Sequence, residues 1–490
     1  MNHIPEEFNT FLGPKAENAE LLLSLLKKVL DTQTGWRKSA YPDDPGLYPA
    51  KETTISKLET ELDKFLERSK KNYPYFHPRY MAQMLKDPSL PTVLGMLTFV
   101  LSNPNNHAYE GGPVTTEMEM EVTEMLLKMC GYKEGWGHLA SGGSLANMEA
   151  LWAARDFYKQ GKVYFSEVSH YSWKRICTIL RIDEFEEIPV DRNFRMDLNK
   201  LEEDLKKHRA MFVMANCGST GAGSIDDLEA IISLKDKYGF HLHIDAAYGG
   251  FFRTLLIDEA GNNINNAEAT PLTEYSFRQL RAIEHSDSVT IDPHKQGLIS
   301  YGAGAVLYKD ENLRSGISNT APYTYHKTDK PNIGMFSLEG SRPGAMAAAC
   351  YLTYKVLPLN SSGAGGIIGN SIAASRKLYE LISGSSKYKN LCYPDIDINC
   401  FYKTGAGTDF EDINNATLNV YSQLSVEAEN PDFILSKFIL PASIGSRLLP
   451  EFTNKTNANF NALRAVLMKH WYTMNDFYYL RKLVEKLEEI

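Results

Sequence analysis

The chain has no long hydrophobic run, no paired-cysteine motif and no surplus of basic charge, and each absence narrows its function. Its longest apolar stretch, Leu90 to Leu101, holds Pro91 and is twelve residues long. A membrane span takes ~20 apolar residues, so no membrane partner is expected. The start, MNHIPEEFNT, has neither a basic head nor an apolar core, so no signal peptide is expected. Six cysteines, at 130, 177, 217, 350, 392 and 400, form no CxxC pair. That disfavours a disulfide scaffold and a structural zinc site, no metal is expected, and the plain reading is a reduced, cytoplasmic protein. Lys+Arg number 52 against 61 Asp+Glu, a net charge of -9. A nucleic-acid binder would need a basic surplus to displace counterions, so no nucleic-acid partner is expected. Neither GxGxxG nor a P-loop is present, which disfavours dinucleotides and nucleoside triphosphates.

What is present reads as an ordinary globular chain, with 43% hydrophobic and 23% charged residues over 490 positions. That is too apolar for a disordered chain, and the length suggests about three domains. Residues 1–95 read as a helical arm. Ala16–Leu30 is Leu-rich, and Ile55, Leu58, Leu62 and Phe65 recur at steps of three and four, giving one apolar face. Tyr41–Pro49 between them is too rich in Pro and Gly to be helical. Such an arm either wraps another subunit or packs on its own chain.

Residues 96–358 alternate helix and strand. Helices are expected over Glu117–Cys130, stopped by Gly131, and over Ser144–Gln160, Leu198–His208 and Ile225–Tyr238. Strands are expected at Val163–Phe165, Phe185–Val190, Met211–Ala215, Leu242–Ala247, Ser288–Ile291 and Ala303–Tyr308. This is α/β alternation, a largely parallel sheet covered on both faces. SSGAGGIIG, Ser361–Gly369, reads as a loop. Residues 359–490 read as a small α+β domain ordered helix, strand, strand, helix, with Ala462–Met468 its last strand and Asp476–Glu489 its closing helix.

The chemistry concentrates at strand ends. Ser288–Ile291 runs into Asp292-Pro293-His294-Lys295, and Pro293, lacking an N–H, ends the ladder. His294 and Lys295 then stand at the carboxyl edge, where open α/β sheets bind ligands. Among Gly297, Gly302 and Gly304 and few charges, Lys295 is expected to lose its proton readily, as condensation with a carbonyl requires. Any HK pair taken alone is far more often a surface loop. Fifty residues earlier Asp245 ends the strand of HLHIDAAYGG. It could cap a turn or hold a ring nitrogen protonated, with Ala246 and Ala247 small enough for a flat ring. In LASGGSLANMEAL, Gly142-Gly143-Ser144 opens a helix whose free N–H groups suit a phosphate, although Ser is also an ordinary N-cap. His170, in SEVSHYSWKR, could stack on a ring or serve the core. One ligand satisfies all four positions, pyridoxal 5'-phosphate, a flat phosphorylated aldehyde.

With HPRY (77–80), PNNHAYEGGPVTTEME, SGGSLANMEALWAARD, HIDAAYGG, SVTIDPHK and LEGSRPGA in place, the chain resembles the group II pyridoxal-phosphate decarboxylases of the aspartate-aminotransferase-like fold. It is most similar to bacterial tyrosine (aromatic L-amino acid) decarboxylases, from about His77 to Gly366. The resemblance implies a fold type I enzyme with a seven-stranded sheet, and an obligate homodimer with shared active sites and a swapped N-terminal arm. It implies that Lys295 binds the cofactor aldehyde, Asp245 pairs with the ring nitrogen, and Ala247 and His170 take opposite ring faces. Gly143, Ser144 and His294 would hold the phosphate, Thr220 would lie near the ring hydroxyl, and Ser341 would reach the phosphate of the neighbouring subunit. A tyrosine on the loop Leu313–Pro331, Tyr323 or Tyr325, would deliver a proton to the substrate carbon. His77, Arg79, Tyr80, Gln83, Asn106, His107, Tyr109 and Tyr301 are the candidates to meet the amino acid substrate. HPRYMAQM departs from HPRYxGHM at Gln83. Arg79 would either anchor an acidic side chain or form a structural ion pair. The implied reaction is decarboxylation of an aromatic L-amino acid to its amine, with an acidic substrate, an aromatic aldehyde synthase or a non-catalytic relative as alternatives.

Overall fold

Seven short strands make the larger of two sheets in the computed structural model, which describes residues 5–46, 56–318, 330, 332–405 and 407–490. They are β1 (Trp136–Ala140), β2 (Lys162–Ser166), β3 (Phe185–Ile188), β4 (Ala210–Asn216), β5 (His241–Asp245), β6 (Ser288–Ile291) and β7 (Gly304–Tyr308). Their order is β1-β7-β6-β5-β4-β2-β3. Only β7 runs antiparallel, against both β1 and β6. Every residue of β4 through β7 is buried, which explains continuous apolar runs rather than alternation. The fold class and the sheet expected from sequence are those observed.

The element ends differ from expectation for local reasons. The strand expected to reach Val190 stops at Ile188, because Pro189 has no N–H. The helix expected from Ile225 starts at Leu228, because the Asp227 side chain caps it by accepting from Ala230 N. The helix expected from Glu117 starts at Pro113, with proline in its first turn. Strand β1 was not expected. Its WGHLA carries no run of strand formers, and it is extended because β7 pairs with it from Trp136↔Tyr308 to Ala140↔Gly304.

The second sheet is fully antiparallel: β8 (Tyr388–Asn390), β9 (Ile398–Lys403), β10 (Ser436–Leu440) and β11 (Phe460–Val466), ordered β10-β11-β9-β8. Two strands were expected and four are present, since the short, partly exposed edge strands carry little periodicity. Helices Ala364–Ser383 and Phe410–Gln423 pack on this sheet, and Met474–Glu489 packs on Ala364–Ser383. The Ser361–Gly369 loop is a correction: Ala364 onward is helical. A Cβ on Gly365 would lie 2.6 Å from the Asn360 carbonyl oxygen, so glycine here serves close packing rather than looseness.

The N-terminal helices Ala19–Ser39 and Ser56–Ser69 bury no residue. Leu58, Leu62, Phe65 and Leu66 are exposed; Ile55 and residues 47–49 lie outside the described residues. Residues 79–82 join the second sheet, with Met81 N donating to Ile434 O and Val466 N donating to Met81 O, both at 2.8 Å. Helix Leu90–Val100 spans the expected boundary at residue 95. Among the described residues no helix is long and apolar enough to cross a membrane.

Candidate active site

The carboxyl ends of the parallel strands open onto a cavity of about 400 Å³. Gly143, Ser144, His170, Thr220, Asp245, Ala247, His294, Lys295 and Tyr301, all singled out from sequence, line it together. Asp245 sits at the end of β5, and three donors hold its carboxylate. Asn147 Nδ2 donates to Oδ2 at 2.8 Å, Trp173 Nε1 to Oδ2 at 3.1 Å, and Ala247 N to Oδ1 at 3.2 Å. His170 bonds Ser172 Oγ through Nδ1 at 2.7 Å. His294 accepts from Ala303 N through Nδ1 at 2.9 Å and stacks on Tyr301 at 4.2 Å. With Nδ1 an acceptor, neutral His294 carries its proton on Nε2.

Lys295 overturns one expectation. Its Nζ lies 3.0 Å from Asp292 Oδ2, and Asp292 is 2% exposed. Burial pushes the amine's pKa down, but Asp292 and then Asp245 pull it up, and the net is above the ordinary lysine value. The amine therefore rests as an ion-paired ammonium rather than readily losing its proton. Counting glycines missed this because Asp292, three residues back, turns toward the amine. His170 and His294 both shift down, chiefly through burial, so both rings are neutral near neutral pH.

Several expected substrate contacts do not line the cavity. Arg79 Nη1 donates to Asp432 O at 2.8 Å, stands 3.8 Å from that carboxylate and covers the Phe433 ring; it is tied up structurally. His77 packs edge-on against Tyr479. Tyr80 is buried, its carbonyl accepting from Lys469. Gln83 is exposed. Asn106 is buried and bonds Thr115 and Glu119. His107 gives its carbonyl to Gly334 N, and the Tyr109 hydroxyl donates to Glu117. Ser341 is exposed and accepts from Asn105. Tyr323 and Tyr325 lie outside the described residues.

Sequence reasoning missed Asn147, Trp173 and Asp292. The first two each lie about one helical turn beyond a recognised residue, Gly143 and His170. A polar Asn147 on the buried side of its helix was the available signal.

A flat phosphorylated aldehyde fits these residues. Asp292 Oδ1 has no hydrogen-bond partner. A Cβ on Gly143 would meet Ala247 Cβ at 3.0 Å and Asp292 Oδ2 at 2.9 Å, so only glycine leaves the cradle open. No side chain caps the first turn of Gly143–Tyr158, which leaves its N–H groups for a phosphate. Among the described residues no cluster of metal-ligating side chains occurs.

Comparison with known proteins agrees. Residues 42–401 match the pyridoxal-dependent decarboxylase conserved domain. The L-tyrosine decarboxylase of Levilactobacillus brevis is 31% identical over 76% of this chain and 74% of its own length. That of Enterococcus faecium is 31% identical over 85% of both. A crystal structure of Oryza sativa TDC with PLP and tryptamine superposes with a TM-score of 0.72 at 16% identity, covering 96% of this chain and 98% of that one.

Proposed function

The chain belongs to the pyridoxal-dependent decarboxylases, and we propose that it removes CO2 from a tyrosine-like aromatic L-amino acid, leaving the amine. The observation that carries this is the convergence of Lys295, Asp245, His170 and Gly143 on one cavity. The relatives that act on L-tyrosine support the substrate class. The acidic alternative loses its anchor, because Arg79 is engaged by Asp432.

Bound pyridoxal 5'-phosphate supplies an electron sink for the pair left behind as CO2 departs. The protein's part is orientation and proton control. Lys295 binds the cofactor aldehyde through its amine. Asp245, steadied by Asn147 and Trp173, holds a proton on the ring nitrogen. Ala247 and His170 would hold the ring, Gly143, Ser144 and His294 the phosphate, and Thr220 the ring hydroxyl. Tyr323 or Tyr325 returns a proton to the substrate carbon. The working unit is a homodimer in which the arm helices Ala19–Ser39 and Ser56–Ser69, which bury no residue in their own chain, embrace the partner and Ser341 serves the partner's site. The large domain begins with helix Leu90–Val100 and runs to 358, and the small one spans 359–490. All six cysteines are free, which supports a reducing, cytoplasmic setting.

A substrate panel of tyrosine, DOPA, tryptophan, phenylalanine, glutamate, aspartate and histidine tests the reading, with CO2, ammonia and peroxide measured separately. Amine and CO2 from an aromatic member, without peroxide, is the expected result. Ammonia with peroxide would make it an aldehyde synthase, and turnover of glutamate or aspartate alone would overturn the aromatic assignment. Lys295→Ala should abolish borohydride trapping of the cofactor.

A further inference from the structure

The C-terminal domain sends two buried ionic side chains across to the walls of the cavity. Asp397, 0% exposed, stands just before β9. Its Oδ1 accepts from the Tyr248 hydroxyl at 2.8 Å and its Oδ2 from Gln296 Nε2 at 2.5 Å. Tyr248 lines the cavity, and Gln296 directly follows Lys295 in the chain. Lys86 Nζ closes the set on Gln296 Oε1 at 3.3 Å. Arg464, on β11, donates to the Thr220 carbonyl at 2.7 Å and the Gly221 carbonyl at 3.0 Å, and Thr220 is again a cavity wall. Arg464 faces Cys400 in the β11–β9 ladder, three residues from Asp397, so both prongs rise from one end of one strand pair.

A buried carboxylate is costly, and apolar residues in such places are often as stable. Asp397 spends both oxygens on side-chain donors from the large domain, so its interactions fix the position of those donors rather than fold its own domain. Lys295 has a flexible four-carbon stem, and the reach of its amine depends on where its backbone is held. Gln296 is the adjoining anchor. We propose that Asp397 is a positioning residue for the reaction, acting through Gln296 and Tyr248, so that the seating of the C-terminal domain sets how the Lys295 amine approaches the carbonyl carbon it joins. This rests on the reading of Lys295 as the cofactor-binding lysine.

The test compares Asp397→Asn and Gln296→Met with the wild type. Asn removes the charge and turns one acceptor into a donor, so the bond from Tyr248 or from Gln296 must reverse or break. Met fills the space of Gln296 without its hydrogen bonds. The readouts are the rate at which apo protein takes up pyridoxal 5'-phosphate, the peptide labelled by borohydride, the melting temperature, and kcat and KM separately. Both variants should take up cofactor about tenfold more slowly and lose a similar factor in kcat, with KM little changed. Gln296→Met leaves Asp397 Oδ2 without its donor and should melt lower than the wild type while remaining folded at the assay temperature. Wild-type loading and turnover in Gln296→Met would overturn the proposal, whether or not Asp397→Asn folds. Labelling of a different lysine in the wild type would instead remove the premise about Lys295.

Discussion

A lysine amine must shed its proton before it attacks a carbonyl carbon. Around Lys295, burial favours that loss and Asp292 and Asp245 oppose it, with the balance toward the ammonium. Loading of the apo protein should therefore speed up as pH rises and the amine deprotonates. Asp292→Asn removes the partner at 3.0 Å and leaves the burial effect, so the midpoint of the loading rate should move to lower pH. Stopped-flow absorbance across a pH series measures it; an unmoved midpoint would mean that Asp292 does not set the state of the amine. Lys295, Asp245, His170 and Gly143 were legible because each sits in a short motif at the end of a strand or start of a helix. The donors to Asp245 were not, because Asn147 and Trp173 lie 98 and 72 residues from it in sequence.

Among the elements, helix Ala364–Ser383 sets propensity against packing. Gly costs about 1 kcal/mol relative to Ala inside a helix, so Gly365→Ala would stabilise an isolated segment. In the folded chain the added methyl would stand 2.6 Å from the Asn360 carbonyl oxygen and 3.1 Å from that of Thr254. Overpacking of this kind costs about 1–3 kcal/mol and outweighs the propensity gain. The variant should unfold at lower urea concentration than the wild type; a higher midpoint would show that the helix shifts to make room. The same contact explains why the glycine-rich stretch read as a loop: composition signals flexibility, and only the neighbour above the helix shows what the glycine is for. Strand β1 is the converse, with weak local preference overridden by pairing to β7.

Across the whole molecule, helix Ser56–Ser69 presents an apolar stripe that buries none of its residues against the described chain. Leu62 and Phe65 are 47% and 65% exposed, so charge at those positions costs the single chain's core nothing. If the proposed homodimer is held by this arm, Leu62→Glu with Phe65→Glu should give a monomer in light scattering, and activity should fall with it. A dimer that persists would remove the arm from the interface.

The sequence by itself determined the α/β class, the central strands, the cofactor and nine of the residues that line the cavity. Those follow from hydrophobic runs and short contiguous motifs, and local chemistry is enough to specify them. Only the tertiary structure decided that Asp292 holds the Lys295 amine, that Arg79 is spent on Asp432, and that Asp397 bonds Tyr248 in the cavity wall. Each of these is a contact whose energy depends on geometry that the fold alone creates.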